Sequence, residues 1–491
     1  MRLAILSLCG CFGLFLSSCA GIDSRESATP GDKPNVVVIL ADDLGFADVS
    51  SYGVQRIQTP HIDRIGHEGA LFTNAYVTSP VCGPSRAGLQ TGRYQDRFGF
   101  EFNNGPANRE VREGLGLPVE EKTLGLALKE LGYHTGLVGK WHLGSDKRFY
   151  PTNRGYDEFV GFLQGLTLYM DPDDPDLVKF QEPVTEDSRP YILTERGEYY
   201  QVVEGPDATV VHNEHEYLTD YFGRRAVEFI ERNAASEAPY FLYLAPNAPH
   251  APLHVTRKYY DRFPQIEDKQ SRVYAAMISA LDDMVGHVLD AVEKSGEAEN
   301  TIVIFLSDNG CASYYIGMCS CEPLRGGKFT HYEGGVRVPF MMRWPAVVKA
   351  GQTFSGISSS LDIFPTLVAA AGGTLPADRI YDGVDLAPFL SGEKPGSPHD
   401  ELIWRRQPLF SIRKGDWKLW KSTDPAKPFT MLFNLKDDLN ERQNLADKNP
   451  EKVAELEAAI RDYAKDLQDP RWPSRKWQTT DVCGVPMTLP I

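Results

Sequence analysis

The sequence predicts an α/β chain with a large, mostly parallel central sheet flanked by helices, followed by a small C-terminal α+β subdomain with a short antiparallel sheet and a helix. Three observations predict it. Apolar runs of strand length alternate with helical patterns as far as residue 371, the order that β-α-β units require. Runs such as VVVIL and TIVIFL lack internal polar alternation, as strands buried on both faces do. Beyond a Gly/Pro/Ser-rich stretch at 391–398 the pattern changes to a hairpin and one helix.

The elements follow in order. Asn35 to Leu40 is a strand, Pro60 to Glu68 and Lys122 to Leu131 are helices, and Thr135 to Val138 is a strand. Helix Asp220 to Arg232, strand Tyr240 to Leu244, helix Arg272 to Glu293 and strand Thr301 to Leu306 continue the alternation. Helix Ser359 to Ala371 ends at Gly372-Gly373. In the tail, Leu409 to Ile412 and Trp417 to Lys421 flank Arg413-Lys414-Gly415-Asp416 as a hairpin, and Glu451 to Leu467 is an amphipathic helix. Residues 166–216 fit neither period and read as a long insertion on the sheet's rim. The expected divisions are 1–18, 19–34, 35–395 and 396–491: signal, tether, main domain and subdomain.

The 491 residues are 42% hydrophobic and 24% charged, which excludes a disordered, collagenous or membrane-embedded chain. Lys plus Arg is 51 and Asp plus Glu 67, for a net charge of −16. Nucleic acid is therefore not an expected partner, and any anionic ligand must find a local basic pocket. Met1-Arg2 and the apolar run Leu3 to Leu16 fit an export signal; a membrane span needs about 20 residues. Leu16-Ser17-Ser18-Cys19 looks like a bacterial lipobox, in which Cys19 is lipidated; a soluble signal cut at a small-residue site is the alternative. The expectation is an exported protein, lipid-anchored in the bacterial envelope through the tether Ala20 to Pro34, with no other tie to a membrane.

Past Cys19 five cysteines remain: Cys82, Cys311, Cys319, Cys321 and Cys483. In an oxidising compartment an odd count suggests one with a separate task, and Cys82 stands apart. The other four permit three pairings, and disulfides or inert buried thiols are favoured over a metal knuckle.

The informative polar residues directly follow strands. Asp42-Asp43 follow VVVIL, Lys140 and His142 follow TGLVG, His250 follows YFLYLAP, and Asp308-Asn309 follow IVIFL. Open α/β sheets bind ligands at these carboxyl ends. Each signal alone has a plain alternative: Asp-Asp can cap a helix, Asp-Asn-Gly is a common turn, and an isolated His is usually surface or core. Their shared edge favours function. Asp42, Asp43, Asp308 and Asn309 offer only oxygen atoms, which suits a hard divalent cation, Ca²⁺ or Mg²⁺, able to anchor a tetrahedral oxyanion. Pro84 can occupy an early helix position, which puts Cys82 at a helix N-terminus where anions are favoured.

The text around that cysteine is specific. C-x-P-S-R at Cys82 to Arg86, followed by L-x-T-G-R at Leu89 to Arg93, resembles the signature of the type I sulfatases, whose cysteine a maturase oxidises to formylglycine. The resemblance extends to Gly139-Lys140-Trp141-His142-Leu143-Gly144, Pro249-His250-Ala251-Pro252, Asp308-Asn309-Gly310, and Gly326-Gly327-Lys328 leading to Glu333-Gly334-Gly335. It implies an alkaline-phosphatase-like fold and hydrolysis of a sulfate ester. By motif, Cys82 becomes the formylglycine nucleophile as its gem-diol and joins Asp42, Asp43, Asp308 and Asn309 around one Ca²⁺. Arg86 would steady the hydrated aldehyde, and Lys140 and Lys328 would neutralise sulfate oxygens. His142 looks like the base that collapses the sulfated hemiacetal, and His250, alone or with Lys328, like the acid for the leaving sugar oxygen.

The leaving alcohol is read by the rim. Tyr169, His212 and His215 of the insertion, the Tyr314-Tyr315 loop and the tail are candidate contacts, and His254 and Arg325 are candidates for a carboxylate or second sulfate. Export and sulfate chemistry together suggest an enzyme that degrades sulfated polysaccharide fragments. The rivals are a formylglycine-dependent phosphonate or phosphate ester hydrolase and a non-catalytic glycan-binding homologue.

Overall fold

A computed structural model describes residues 33–53, 57–105, 107–180, 201–211, 215–313, 317, 319–474, 477–482 and 485–490. The expected signal, Cys19 and the tether through residue 32 lie outside them, as do His212, Tyr314, Tyr315 and Cys483.

Ten strands make the central sheet: β1 Asn35–Ala41, β2 Ala70–Phe72, β3 His134–Lys140, β4 Glu158–Phe162, β5 Val203–Glu204, β6 Thr209–Val210, β7 Tyr240–Ala245, β8 Thr301–Ser307, β9 Phe340–Arg343 and β10 Gln352–Phe354. Their order across the sheet is β10-β2-β9-β8-β1-β7-β3-β4-β5-β6. The five strands β8-β1-β7-β3-β4 are mutually parallel, and antiparallel pairings extend them at both edges. The predicted mostly parallel sheet is therefore present, and its four long predicted strands are all in the parallel centre. Every residue of β1, β7 and β8 is buried, because helices cover both faces.

Alternation along β1 sorts the layers. Val37 and Ile39 pack with α1 (Pro60–His67), α4 (Leu218–Asn233) and the long α5 (Lys269–Lys294). Val36, Val38 and Leu40 pack on the other face with α2 (Cys82–Thr91), α3 (Leu124–Glu130) and α6 (Ile363–Ala370). The caps are local: Thr123 Oγ1 accepts from Leu126 N, and the Asp268 carboxylate accepts from Ser271 N.

Two expectations need correction. Residues 166–216 are more than a rim insertion: Leu177–Lys179 pairs with His254–Thr256, and β5 and β6 extend the central sheet. Paired strands this short leave no periodicity to read. The helix expected from Ser359 is a 3-10 turn at Ser360–Asp362 that leads into α6, since the Ser359 hydroxyl caps the turn.

The tail holds an antiparallel sheet of β11 Glu401–Arg406, β12 Leu409–Lys414, β13 Trp417–Ser422 and β14 Phe429–Asn434, in that order. The predicted hairpin is β12-β13, with Lys414 opposite Trp417. One face takes Leu456 and Ile460 of α7 (Pro450–Tyr463) onto Ile403, Ile412, Leu419 and Leu432. The other packs Trp420 and Phe433 on Tyr332, and Trp404 on Tyr76 and Val336. No helix among the described residues is long and apolar enough to cross a membrane.

Candidate active site

Two neighbouring parallel strands deliver the acidic groups. β1 and β8 run in register, Ala41 beside Ser307, so Asp42-Asp43 and Asp308-Asn309 leave the sheet side by side. Asp43 turns at φ +61°, and its N–H donates to Asp308 Oδ1 at 3.2 Å, tying the two ends together. β3 brings Lys140 to the same edge, where Nζ donates to Asp42 Oδ2 at 2.7 Å with both side chains fully buried. This approach needs glycine at 139: with φ +110°, a Cβ there would lie 2.1 Å from Ala245 O.

Helix α2 begins at Cys82, as the position of Pro84 predicts, and Cys82 is buried. Lys328 Nζ lies 3.1 Å from Cys82 Sγ and 2.8 Å from both Asp43 carboxylate oxygens. Cys82 Sγ is 3.6 Å from Asp42 Oδ1 and 3.7 Å from Asp43 Oδ1. One turn further, Arg86 Nε and Nη2 reach Asp308 Oδ2 at 2.9 and 2.8 Å, and Nη1 donates to Lys140 O at 3.2 Å. His250 Nδ1 donates to Ala251 O at 2.6 Å, which leaves Nε2 facing Asp43 Oδ2 at 3.6 Å. His142 is buried at φ +60°, and its Nδ1 has no hydrogen-bond partner among the described residues.

Three buried carboxylates thus stand against three buried cations, Arg86, Lys140 and Lys328. Burial pushes the Asp42 carboxyl up, but Lys140, His250, Arg86 and Lys328 outweigh it and hold the group far below the usual carboxylate range. Asp43 is also held low, Lys328 and His250 overcoming burial. Asp308 goes the other way: burial and Asp42 push it up to about 6 against Arg86. Burial and Asp308 drive the Cys82 thiol well above its ordinary value despite Lys140 and Lys328. An unmodified Cys82 is therefore a neutral thiol and a poor nucleophile. Burial, Lys140 and Arg86 keep His142 well below its ordinary value, so its imidazole rests neutral. Burial also lowers His250, against the pull of Asp42 and Asp43.

The donor set fits a hard cation. Asn309 Nδ2 donates to Asp43 Oδ1 at 2.7 Å and to Gly310 O at 2.9 Å, while its buried Oδ1 has no hydrogen-bond partner among the described residues. A cation is the kind of partner that oxygen lacks. Ligand atoms of Asp42, Asp43, Cys82 and His250 all lie within 4.8 Å of one another, a group able to hold a metal ion.

A family model described as Sulfatase matches residues 34–373, and one described as N-sulphoglucosamine sulphohydrolase, C-terminal, matches residues 327–469. The chain belongs to the sulfatase family. This sulfatase is 34% identical over 430 residues to the N-acetylgalactosamine-6-sulfatase of Canis lupus familiaris, covering 85% of this chain and 77% of that one. It is 31% identical over 487 residues to the arylsulfatase G of Rattus norvegicus, covering 91% and 89%. Among solved structures, Ps i-CgsB in complex with k-i-k-neocarrahexaose superposes with a TM-score of 0.78 at 34% identity, covering 90% of this chain and 95% of that one. The protein is thus a sulfuric ester hydrolase of type I, and its fold is that of the sulfatases.

Asp42, Asp43, Cys82, Arg86, Lys140, His250, Asp308, Asn309 and Lys328 come together here, whereas Arg93 of the same motif pairs with Glu121, Glu333 pairs with Lys418, and several rim candidates lie elsewhere. Tyr169 is fully buried; it stacks on Tyr217 and its hydroxyl donates to Asn247 O at 2.6 Å and His250 O at 2.8 Å, so it supports the His250 loop. His254 is buried in a strand, and burial lowers it to about 4. His215 is exposed beside Asp174. Arg325 lies over the Tyr332 ring and donates to Glu441 O at 2.8 Å. Among the described residues no metal knuckle forms: Cys311 and Cys319 are disulfide-bonded, and the buried Cys321 thiol donates to Gly334 O at 3.1 Å. The sequence reading missed Asn103, whose Oδ1 accepts from Gly83 N at 3.1 Å at the start of α2. An Asn-Asn-Gly turn gives no hint of a partner twenty residues upstream.

Proposed function

We propose that this sulfatase removes sulfate from a sulfated polysaccharide or its oligosaccharides, using formylglycine made from Cys82 by a maturase, with Ca²⁺ at Asp42, Asp43, Asp308 and Asn309. The reading rests on one observation above the rest: a buried cysteine at a helix start, 3.1 Å from Lys328 Nζ and flanked by two aspartates. The carbohydrate substrate is supported by the neocarrahexaose bound to Ps i-CgsB and by the names of the relatives.

When bound, Ca²⁺ would polarise a sulfate oxygen and offset its charge. The chain's own groups do the rest. Lys140 and Lys328 meet sulfate oxygens, and Arg86 holds the hydroxyl-bearing side chain at position 82 in line with sulfur. His250 acts as acid in its imidazolium form, which the Asp42 and Asp43 carboxylates favour: with Nδ1–H held by Ala251 O, the second proton on Nε2 goes to the departing sugar oxygen. His142, neutral by burial, takes the proton from the remaining hydroxyl of residue 82 as sulfate leaves. Export and a lipid anchor at Cys19 would set this chemistry at the bacterial envelope, where sulfated polysaccharide is met.

The test is a screen of the matured enzyme on defined sulfated oligosaccharides, with an aryl sulfate and a matched phosphonate ester alongside, reading free sulfate and phosphonate. Sulfate release from oligosaccharides is expected. Turnover of the phosphonate alone would overturn the reading in favour of a phosphonate hydrolase.

A further inference from the structure

A buried polar cluster outside the motif residues grips the loop that bears His142. β3 and β4 continue their pairing past their ends, with Trp141 N donating to Phe162 O at 3.0 Å and His142 N to Leu163 O at 3.1 Å. The next residues are Gln164 and Gly165. A Cβ on Gly165 would lie 2.9 Å from His142 Cε1 and Nε2, so the imidazole rests on that backbone, and only glycine leaves it room. Above this pair sits Glu110, from the helix Ala107–Glu113 and fully buried. Its Oε2 accepts from Ser145 Oγ at 2.6 Å and from Gln164 Nε2 at 2.8 Å, and Gln164 Nε2 also meets Ser145 Oγ. Ser145 and Gln164 are buried as well.

We infer that Glu110 is a positioning residue for the sulfatase reaction: by tying Ser145 to Gln164 it closes the cradle that holds the His142 imidazole toward residue 82. His142 adopts a left-handed backbone that a residue with a side chain keeps only when its surroundings impose it. The surroundings here are few. Leu143 O accepts from Leu117 N at 2.8 Å on one side, and beside the His142 N–Leu163 O bond and the direct Gln164–Ser145 contact the Glu110 carboxylate ties the loop after His142 to the loop beneath its ring. Burying a carboxylate to brace two neutral side chains is costly, and burial pushes Glu110 up to about 7 against its hydrogen bonds. A site with no task would more easily be filled by an apolar group.

The inference rests on the role proposed for His142, and the experiment separates the two. Matured wild type, His142→Ala, Glu110→Ala, Glu110→Gln and Ser145→Ala are compared on 4-nitrophenyl sulfate, each normalised to its formylglycine content by mass spectrometry. Misplacing a catalytic group by about 1 Å costs on the order of 10²-fold, so Glu110→Ala should lose about 10²-fold in kcat with KM little changed. It should also show a burst of one equivalent of 4-nitrophenol before a slow phase, as His142→Ala does, because sulfate transfer outruns sulfate release. Glu110→Gln keeps an acceptor for Ser145 and Gln164 and should recover most of kcat, and Ser145→Ala, which leaves the Gln164 bond, should fall between. A damaged fold would instead lower the active fraction without a burst. If His142→Ala bursts and neither Glu110→Ala nor Ser145→Ala does, the inference is wrong and the role of His142 stands. If His142→Ala shows no burst, that role is wrong and the inference falls with it.

Discussion

Lys418→Met should destabilise the protein in a way that grows with pH. Lys418, on β13, places Nζ 2.8 Å from Glu333 Oε1 and 3.1 Å from Glu441 Oε1, all three side chains fully buried. Glu333 follows the Lys328 segment, and its N–H donates to Glu441 Oε2 at 2.6 Å. In the wild type, burial raises Glu333, but Lys418, Arg337 and Arg413 overcome it and hold the carboxyl near 2; burial pushes Glu441 up to about 7. Removing one partner of a buried ion pair costs about 3–5 kcal/mol. With an unfolding entropy of about 2 cal/mol/K per residue over the unit Lys33–Ile491, that lowers the melting midpoint by about 3–5 °C. The sign with pH follows from the proton count. Unfolded glutamates titrate near 4.5, and without Lys418 the folded pair titrates higher, so the folded state binds more protons between those values and loses stability as pH rises. Calorimetric melts of wild type and variant at pH 5, 7 and 9 should therefore diverge toward alkaline pH, and adding Glu441→Gln should close part of the gap. Parallel curves at all three pH values would refute the idea that Lys418 neutralises this carboxylate pair.

Three further outcomes are expected. From a host with a maturase, mass spectrometry of the Cys82 peptide should show the aldehyde or its hydrate, and Cys82→Ala should abolish turnover without moving the melting midpoint by more than a few degrees; free thiol with full activity would contradict this. Asp308→Ala should lose bound Ca²⁺ and activity together, read by elemental analysis and sulfate release, and stoichiometric zinc with activity untouched by calcium removal would overturn the assignment. His250→Ala should hurt a sugar sulfate about 10²- to 10⁴-fold more than 4-nitrophenyl sulfate, whose leaving group needs no proton. Equal losses on both substrates would remove His250 from the role of acid.

What the sequence determined by itself was whatever depends on nearest neighbours in the chain or on a motif that must stay contiguous. VVVIL and TIVIFL announce central strands because strands covered on both faces cannot alternate, and the acidic pairs behind them lie at the carboxyl edge because parallel strands end together. Pro84 gave away the start of α2, and the string from Cys82 to Arg86 could be read whole because one helical turn holds both its ends. Tertiary structure alone decided what passes between distant segments. Tyr169 looks like a sugar-stacking aromatic until the fold buries it under the His250 loop, and Glu110, Ser145 and Gln164 meet only because β3 and β4 are neighbours in the sheet. The ionisation of Cys82, Asp308 and Glu441 was likewise closed to the sequence, since burial and the charges facing each group come from elements brought together by folding.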